Sequence, residues 1–244
     1  MTNLLIVTEW KKFKTLNPSL AARLIPAPRA RGEAGSGPDS QSRIGINQND
    51  RDIMATTKPG ERKLQILQTL AAMLEQPKGE KITTAALAGK LDVSEAALYR
   101  HFASKAQMFE GLIEFIESSV FGLINQITAQ QENGLSQAQA IAGMLLNFAE
   151  RNPGMTRVMI GDALVNEDER LQTRMNQFIE RIELALKQAL RTAVSQGQGS
   201  EAEVALRANM ITSLVLGRWH RYAKSGFKQN PSENAQTQIG LLLV

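Results

Sequence analysis

From Glu61 to about Tyr222 the apolar residues of this chain recur every three or four positions, a period that builds helices and requires no strand. The punctuation between the apolar stretches is that of helix ends. Leu64, Leu67, Leu70 and Leu74, with Ile66 and Met73, form the stripe of a first helix that Pro77 and Gly79 end. Two short helices follow. A fourth opens at Ser104, where the serine oxygen would accept from the third helical amide while Gln107 reaches back, and its stripe runs Met108, Leu112, Phe115, Ile116. Beyond a linker at Glu132 to Gly134, the residues Ala138, Ile141, Leu145 and Phe148 mark a helix that closes before Asn152-Pro153, where Asn152 caps and Pro153 opens the next. After the acidic stretch Asn166 to Glu169, the stripe Leu171, Met175, Phe178, Ile182, Ala185, Ala189, Ala193 extends to about Val194, a helix of roughly 40 Å. Gly197 and Gly199 end it, Ser200 to Glu203 supplies a second capping box, and a last helix runs from Val204 to about Tyr222.

That last helix is apolar on more than one face, and its Gly217 costs about 1 kcal/mol of helix stability unless close backbone approach offsets it. A homodimer joined through the last two helices accounts for both features. The hydrophobic content of 43% is enough for a core without staples, and the chain has no cysteine, which removes disulfides and thiolate sites and fits the cytoplasm. The aliphatic runs Leu4 to Val7 and Leu241 to Val244 are too short to insert in a bilayer. Residues 1–53 differ in kind. Pro26, Pro28 and Pro38 with Gly32, Gly35 and Gly37 interrupt them, no apolar period is sustained, and they read as a disordered extension. A translation start at Met54 would yield 191 residues and omit that extension.

The function is carried by Thr83 to Phe102. Thr83 to Leu91 is a helix of barely two turns, Asp92 to Ser94 a tight link, and Glu95 to His101 a second short helix. Their apolar residues Leu87, Ala88, Leu91, Val93, Leu98 and Phe102 fall on one side if the helices cross steeply, leaving Ala96, Tyr99 and Arg100 facing outward, which is helix-turn-helix packing. Thr83 and Thr84 at one helix N-terminus and Lys105 beside the next suit phosphate, and Tyr99 and His101 are further backbone contacts. Arg100 suits guanine O6 and N7, Ala96 a thymine methyl, and Ser94 and Glu95 other base edges. Duller roles fit the same residues: Ser94 as N-cap, Glu95 as complement to the helix dipole, His101 as a packed and hydrogen-bonded side chain. The charge is polarised along this module, with Lys58, Arg62, Lys63, Lys81, Lys90, Arg100 and Lys105 all preceding Glu110, Glu114 and Glu117.

Leu87-Ala88, Val93-Ser94, Leu98-Tyr99, His101-Phe102 and Lys105 together resemble the signature of TetR-family DNA-binding domains. The longer runs Ile82 to Ala85, Val93 to Phe102, Leu112 to Glu117, Glu150 to Arg157 and Arg174 to Glu183 are similar to the nucleoid-occlusion branch of that family, over Met54 to about Phe227. The resemblance implies an all-α protein with a helix-turn-helix domain over 58–118 and a helical regulatory and dimerisation domain over 119–230. It further implies a nucleoid-associated dimer that binds palindromic chromosomal duplexes, engages the tubulin-like protein FtsZ and disrupts its polymers. Phe115, Arg151 and Asn152 match positions of the FtsZ-facing surface. The wider family implies an alternative, a ligand-responsive repressor, for which Trp219, His220 and Tyr222 are candidate pocket residues. With two histidines, no Gly-x-Ser-x-Gly elbow and no phosphate-cradling glycine loop, neither an enzyme nor a cofactor or metal site is expected, and Glu167 to Glu169 reads as a solvated helix start.

Overall fold

A computed structural model describes residues 61–76 and 82–243. The expectations for residues 1–53, and for Lys58, Pro77, Gly79 and Lys81, lie outside the described residues. These fold into helices α1 (Glu61–Leu74), α2 (Thr84–Lys90), α3 (Glu95–Tyr99), α4 (Lys105–Gln130), α5 (Gly134–Arg151), α6 (Pro153–Met159), α7 (Glu169–Ser195), α8 (Glu201–Lys224) and α9 (Ala235–Leu243), with a single 3-10 turn at Asp162–Leu164. No strand occurs among the described residues, and no helix there is long and apolar enough to cross a membrane.

Local chemistry accounts for most of the boundaries. Ser104 accepts from Gln107 N, while Gln107 Oε1 accepts from Ala103 N at 2.8 Å, one residue further back than a capping box requires. Asp168 caps α7 and Ser200 caps α8. Two expected caps differ in detail. Asn152 precedes Pro153, but its side chain makes no bond to α6; Nδ2 donates to Phe148 O at 2.8 Å and so satisfies a carbonyl in the last turn of α5. Glu203 pairs with Arg207 at 2.9 Å, so the second box keeps only its serine half.

Burial follows the period with small offsets. In α1 the covered residues are Ile66, Leu67, Leu70, Ala71 and Leu74, while Leu64 and Met73 sit at the margin. In α7 Leu186 and Leu190 are buried and Ala185 only partly so, because the stripe steps through 182, 186, 189 and 193. The chain also continues past the expected end. After Gly226 and Phe227, both at positive φ, α9 returns to pack on α5 and α8 with Ala235, Ile239 and Leu243 buried.

One core runs from the helix-turn-helix end to α9. Two contacts bind its ends together. The helix α4 runs unbroken through residues 118 and 119, so it serves both parts. Then α6 lies on α1 so closely that a Cβ on Gly154 would stand 2.1 Å from the Ala71 carbonyl oxygen, a space only glycine fits. Beside that contact Arg157 donates from Nη1 to the Leu74 and Gln76 carbonyls at 3.4 and 3.5 Å and from Nε to Asp162 at 2.8 Å, and Lys224 of α8 bonds Asp162 from the other side. Burial opposes ionisation of Asp162, but the bonds from Lys224 and Arg157 outweigh it and hold the carboxyl below the usual range.

Candidate nucleic-acid interface

The two short helices at residues 84–99 owe their stability to each other and to α1 and α4. Thr83, in extended backbone, accepts from Ala86 N at 3.1 Å and starts α2; Ser94 accepts from Ala97 N at 3.3 Å and starts α3. Between them Asp92 takes a left-handed φ of 53°, and Val93 N returns to Ala88 O at 3.1 Å. An aspartate tolerates this turn better than a branched residue would. Leu87, Ala88, Leu91, Leu98 and Phe102 are buried, and Val93 packs against them from the rim. With that face locked, Ser94, Glu95, Ala96, Tyr99 and Arg100 project into solvent, and Tyr99 is 45% exposed. The helix is five residues long and only its inner face is held by the core, the form in which an element can enter a major groove.

The flanking candidates are placed less simply. Thr84 Oγ1 donates to Glu95 Oε2, so one residue expected at phosphate and one expected at a base edge are brought together. His101 is half-buried behind α3, and burial together with the nearby Arg62, Lys63 and Arg100 cations lowers its pKa below the ordinary imidazole value. Arg62 and Lys63 thus belong to the same positive field as Arg100, and Lys63 lies 5.6 Å from the Phe102 ring centroid. Lys105 is not free in solvent. Its ammonium pairs with Glu167, from the turn before α7, and lies 5.7 Å from the Phe109 ring. Glu167 is accordingly no part of a solvated helix start, with its side chain only 12% exposed.

The three residues matched to an FtsZ-facing surface divide. Arg151 is exposed at the end of α5, Asn152 is buried and spent on Phe148, and Phe115 is 2% exposed inside the core. Trp219 and Tyr222 are buried in the packing of α8. Trp219 Nε1 donates to Leu145 O at 3.2 Å and Tyr222 Oη to Glu150 O at 3.0 Å, fastening α8 to α5, while His220 points to solvent. Burial, with Glu150 and Glu75 nearby, pushes the Tyr222 phenol up to about 12.

Sequence reasoning did not reach Glu167, Asp162 or the clamp role of Arg157. Each depends on a partner tens of residues away; Arg157 and Glu167 lay in runs already singled out, Glu167 as part of a solvated helix start.

Residues 68–112 match the family described as bacterial regulatory proteins, tetR family, and residues 132–244 match the tetracyclin repressor-like, SlmA-like C-terminal domain. The nucleoid occlusion factor SlmA of Alteromonas mediterranea is 48% identical over 186 residues, which cover 76% of this chain and 95% of that protein. Its counterpart in Idiomarina loihiensis is 50% identical over 186 residues, 76% of this chain and 94% of that one. Among solved structures, a TetR transcription regulator from Haloarcula marismortui aligns with a TM-score of 0.64 at 14% identity, over 75% of this chain and 96% of that one. The TetR-family regulator PfmR from Thermus thermophilus aligns with a TM-score of 0.60 at 22% identity, over 73% and 97%. At such identities the structures speak for the fold alone.

Proposed function

The chain belongs to the SlmA family of nucleoid occlusion factors, and on that premise we propose that it binds palindromic chromosomal duplexes as a homodimer and, while bound, engages FtsZ and disrupts its polymers over the nucleoid. The observation that carries the DNA half is the outward face of α3, where Ala96, Tyr99 and Arg100 stand in solvent on a helix whose other face is locked into the core. In this reading Arg100, Ala96, Ser94 and Glu95 meet base edges, and Thr83, Thr84, Tyr99, His101 and Lys105 meet the backbone.

The dimer reading is supported by a stripe along α8. Leu206 and Met210 are 66% and 52% exposed, and Ser213, Leu214 and Gly217 continue the same line. Gly217 has no neighbour within 4 Å of where a Cβ would stand, so its smallness answers no contact inside the chain. Leu184 on α7, 59% exposed, adds to the apolar surface. Toward FtsZ, Arg151 is the member of its group that offers charge to a partner, and Phe115 and Asn152 shape the α4, α5 and α6 packing beneath it.

The test is light scattering from FtsZ polymers in GTP, with the purified protein and with or without a duplex selected from random DNA. A loss of scattering that requires the duplex is the expected result. Unchanged scattering at saturating protein and duplex refutes the FtsZ half and leaves the DNA half to be judged by the duplex selection itself.

A further inference from the structure

Lys105 is the one residue assigned to phosphate that is already engaged by a carboxylate from outside the helix-turn-helix. We propose that Glu167 is a built-in brake on DNA affinity: it competes with the DNA backbone for the Lys105 ammonium, so that every duplex must displace it in order to recruit that cation. The inference rests on the DNA-binding reading above.

Glu167 is held in place. Its side chain is 12% exposed, against 21% for Lys105. The turn that carries it is fixed by Asn166 at φ 64° and by Glu167 N donating to Leu164 O at 3.0 Å. The next residue, Asp168, caps α7, and Arg170 ties the same segment to Glu110 of α4 at 3.0 Å. The carboxylate therefore does not drift to and from Lys105 as a surface side chain would. A phosphate reaching Lys105 brings a second anion against a largely covered carboxylate, and two anions sharing one ammonium repel each other at short range. Either the ammonium turns from Glu167 to the phosphate or the phosphate contact is forfeited. In both cases the pair subtracts from binding by the same factor whatever the base sequence, because phosphate is common to all duplexes.

The experiment is fluorescence anisotropy of the full chain at fixed salt, on the selected palindrome and on a scrambled duplex. Glu167→Gln is expected to tighten both by the same roughly two- to tenfold factor, the range for charge-assisted and partly covered pairs. Lys105→Ala is expected to weaken both, and adding Glu167→Gln to Lys105→Ala to change nothing further. Weaker or unchanged binding by Glu167→Gln overturns the brake. So does an equal gain in the Lys105→Ala background, which would mean general repulsion of DNA by Glu167. If Glu167→Gln fails to fold by thermal melting, Glu167→Asp, which keeps the charge but shortens the reach, decides: tightening on both duplexes supports the brake and no change overturns it. A wild-type chain that binds neither duplex removes the DNA-binding reading itself, a failure recognisable before any variant is compared.

Discussion

Arg100 and His101 are neighbours in sequence with different consequences. Arg100 projects from α3 with its guanidinium in solvent. If it reads a guanine, Arg100→Ala costs about 1–3 kcal/mol and relaxes preference at one position in each half-site, which binding to a panel of single-base operator variants measures. Equal loss on all variants would reassign it to phosphate. His101 is half-buried, and burial together with Arg62, Lys63 and Arg100 holds its imidazole pKa below the ordinary value. Since its folded pKa lies below the ordinary 6.5, its contribution to stability is full above that value and is lost as pH falls through it toward the folded pKa, where the unfolded chain takes up a proton the native state refuses. Phosphates brought alongside shift the balance the other way and favour the imidazolium. DNA binding is therefore expected to take up a proton and to strengthen as pH falls from neutrality into the mildly acid range, with His101→Gln flattening that profile in anisotropy titrations. A profile unaltered by the substitution would place His101 away from the phosphates.

At the scale of elements, the junction of α6 with α1 is the contact least tolerant of change. Gly154→Ala puts a methyl against the Ala71 carbonyl, where backbone cannot yield as a side-chain tip can, and is expected to cost about 1–3 kcal/mol in thermal or urea unfolding. Asp162→Asn tests the neighbouring clamp. Because the folded Asp162 pKa is depressed, the stability it supplies is present above the ordinary carboxylate value and lost as pH falls through the depressed one, so wild type and variant should differ near neutrality and converge in acid. What could be read beforehand at this scale was whatever the chain settles locally. Ser94, Ser104 and Ser200 cap the helices they precede, and the stripes of α1, α4 and α7 fall within a residue or so of their place. What could not be read depends on distant partners. Arg157 meets carbonyls 81 and 83 residues away. Asn152 has the sequence of a forward cap yet turns back to Phe148, where it satisfies a carbonyl of the preceding helix. The helix α9 was missed because its nine residues are short and its apolar end read as a plain aliphatic run; it is burial of Ala235, Ile239 and Leu243 against α5 and α8 that makes it a helix. Of the candidate site, the outward set on α3 was legible because Leu98 and Phe102 leave it no other side to face, and the burial of Phe115 followed from its place in the α4 stripe, whereas the engagement of Lys105 by Glu167 was not legible.

For the whole molecule, the exposed stripe on α8 and the groove beside it, where Leu241 stands 73% exposed on α9, leave apolar surface facing solvent. Leu206→Glu combined with Met210→Glu is expected to leave the fold intact, to give a monomer by sedimentation at micromolar concentration, and to reduce binding to a palindrome to that of a single half-site. A double variant that still sediments as a dimer would move the interface elsewhere. A further consequence lies in α4, whose 26 residues run unbroken from the recognition end into the packing of α5 and α7, with Phe121 edge-on to Phe178. A continuous helix turns about 100° per residue. Inserting one residue near its middle would swing the far half, and everything packed on it, by that angle about the axis, pulling Glu117 away from Arg174 and Lys105 from Glu167 at a stroke. Seven residues would nearly restore the angle but move the two ends about 10 Å apart. The two ends of this protein are thus kept in phase by residue count, and the middle of α4 is where the chain should accept changes of length not at all.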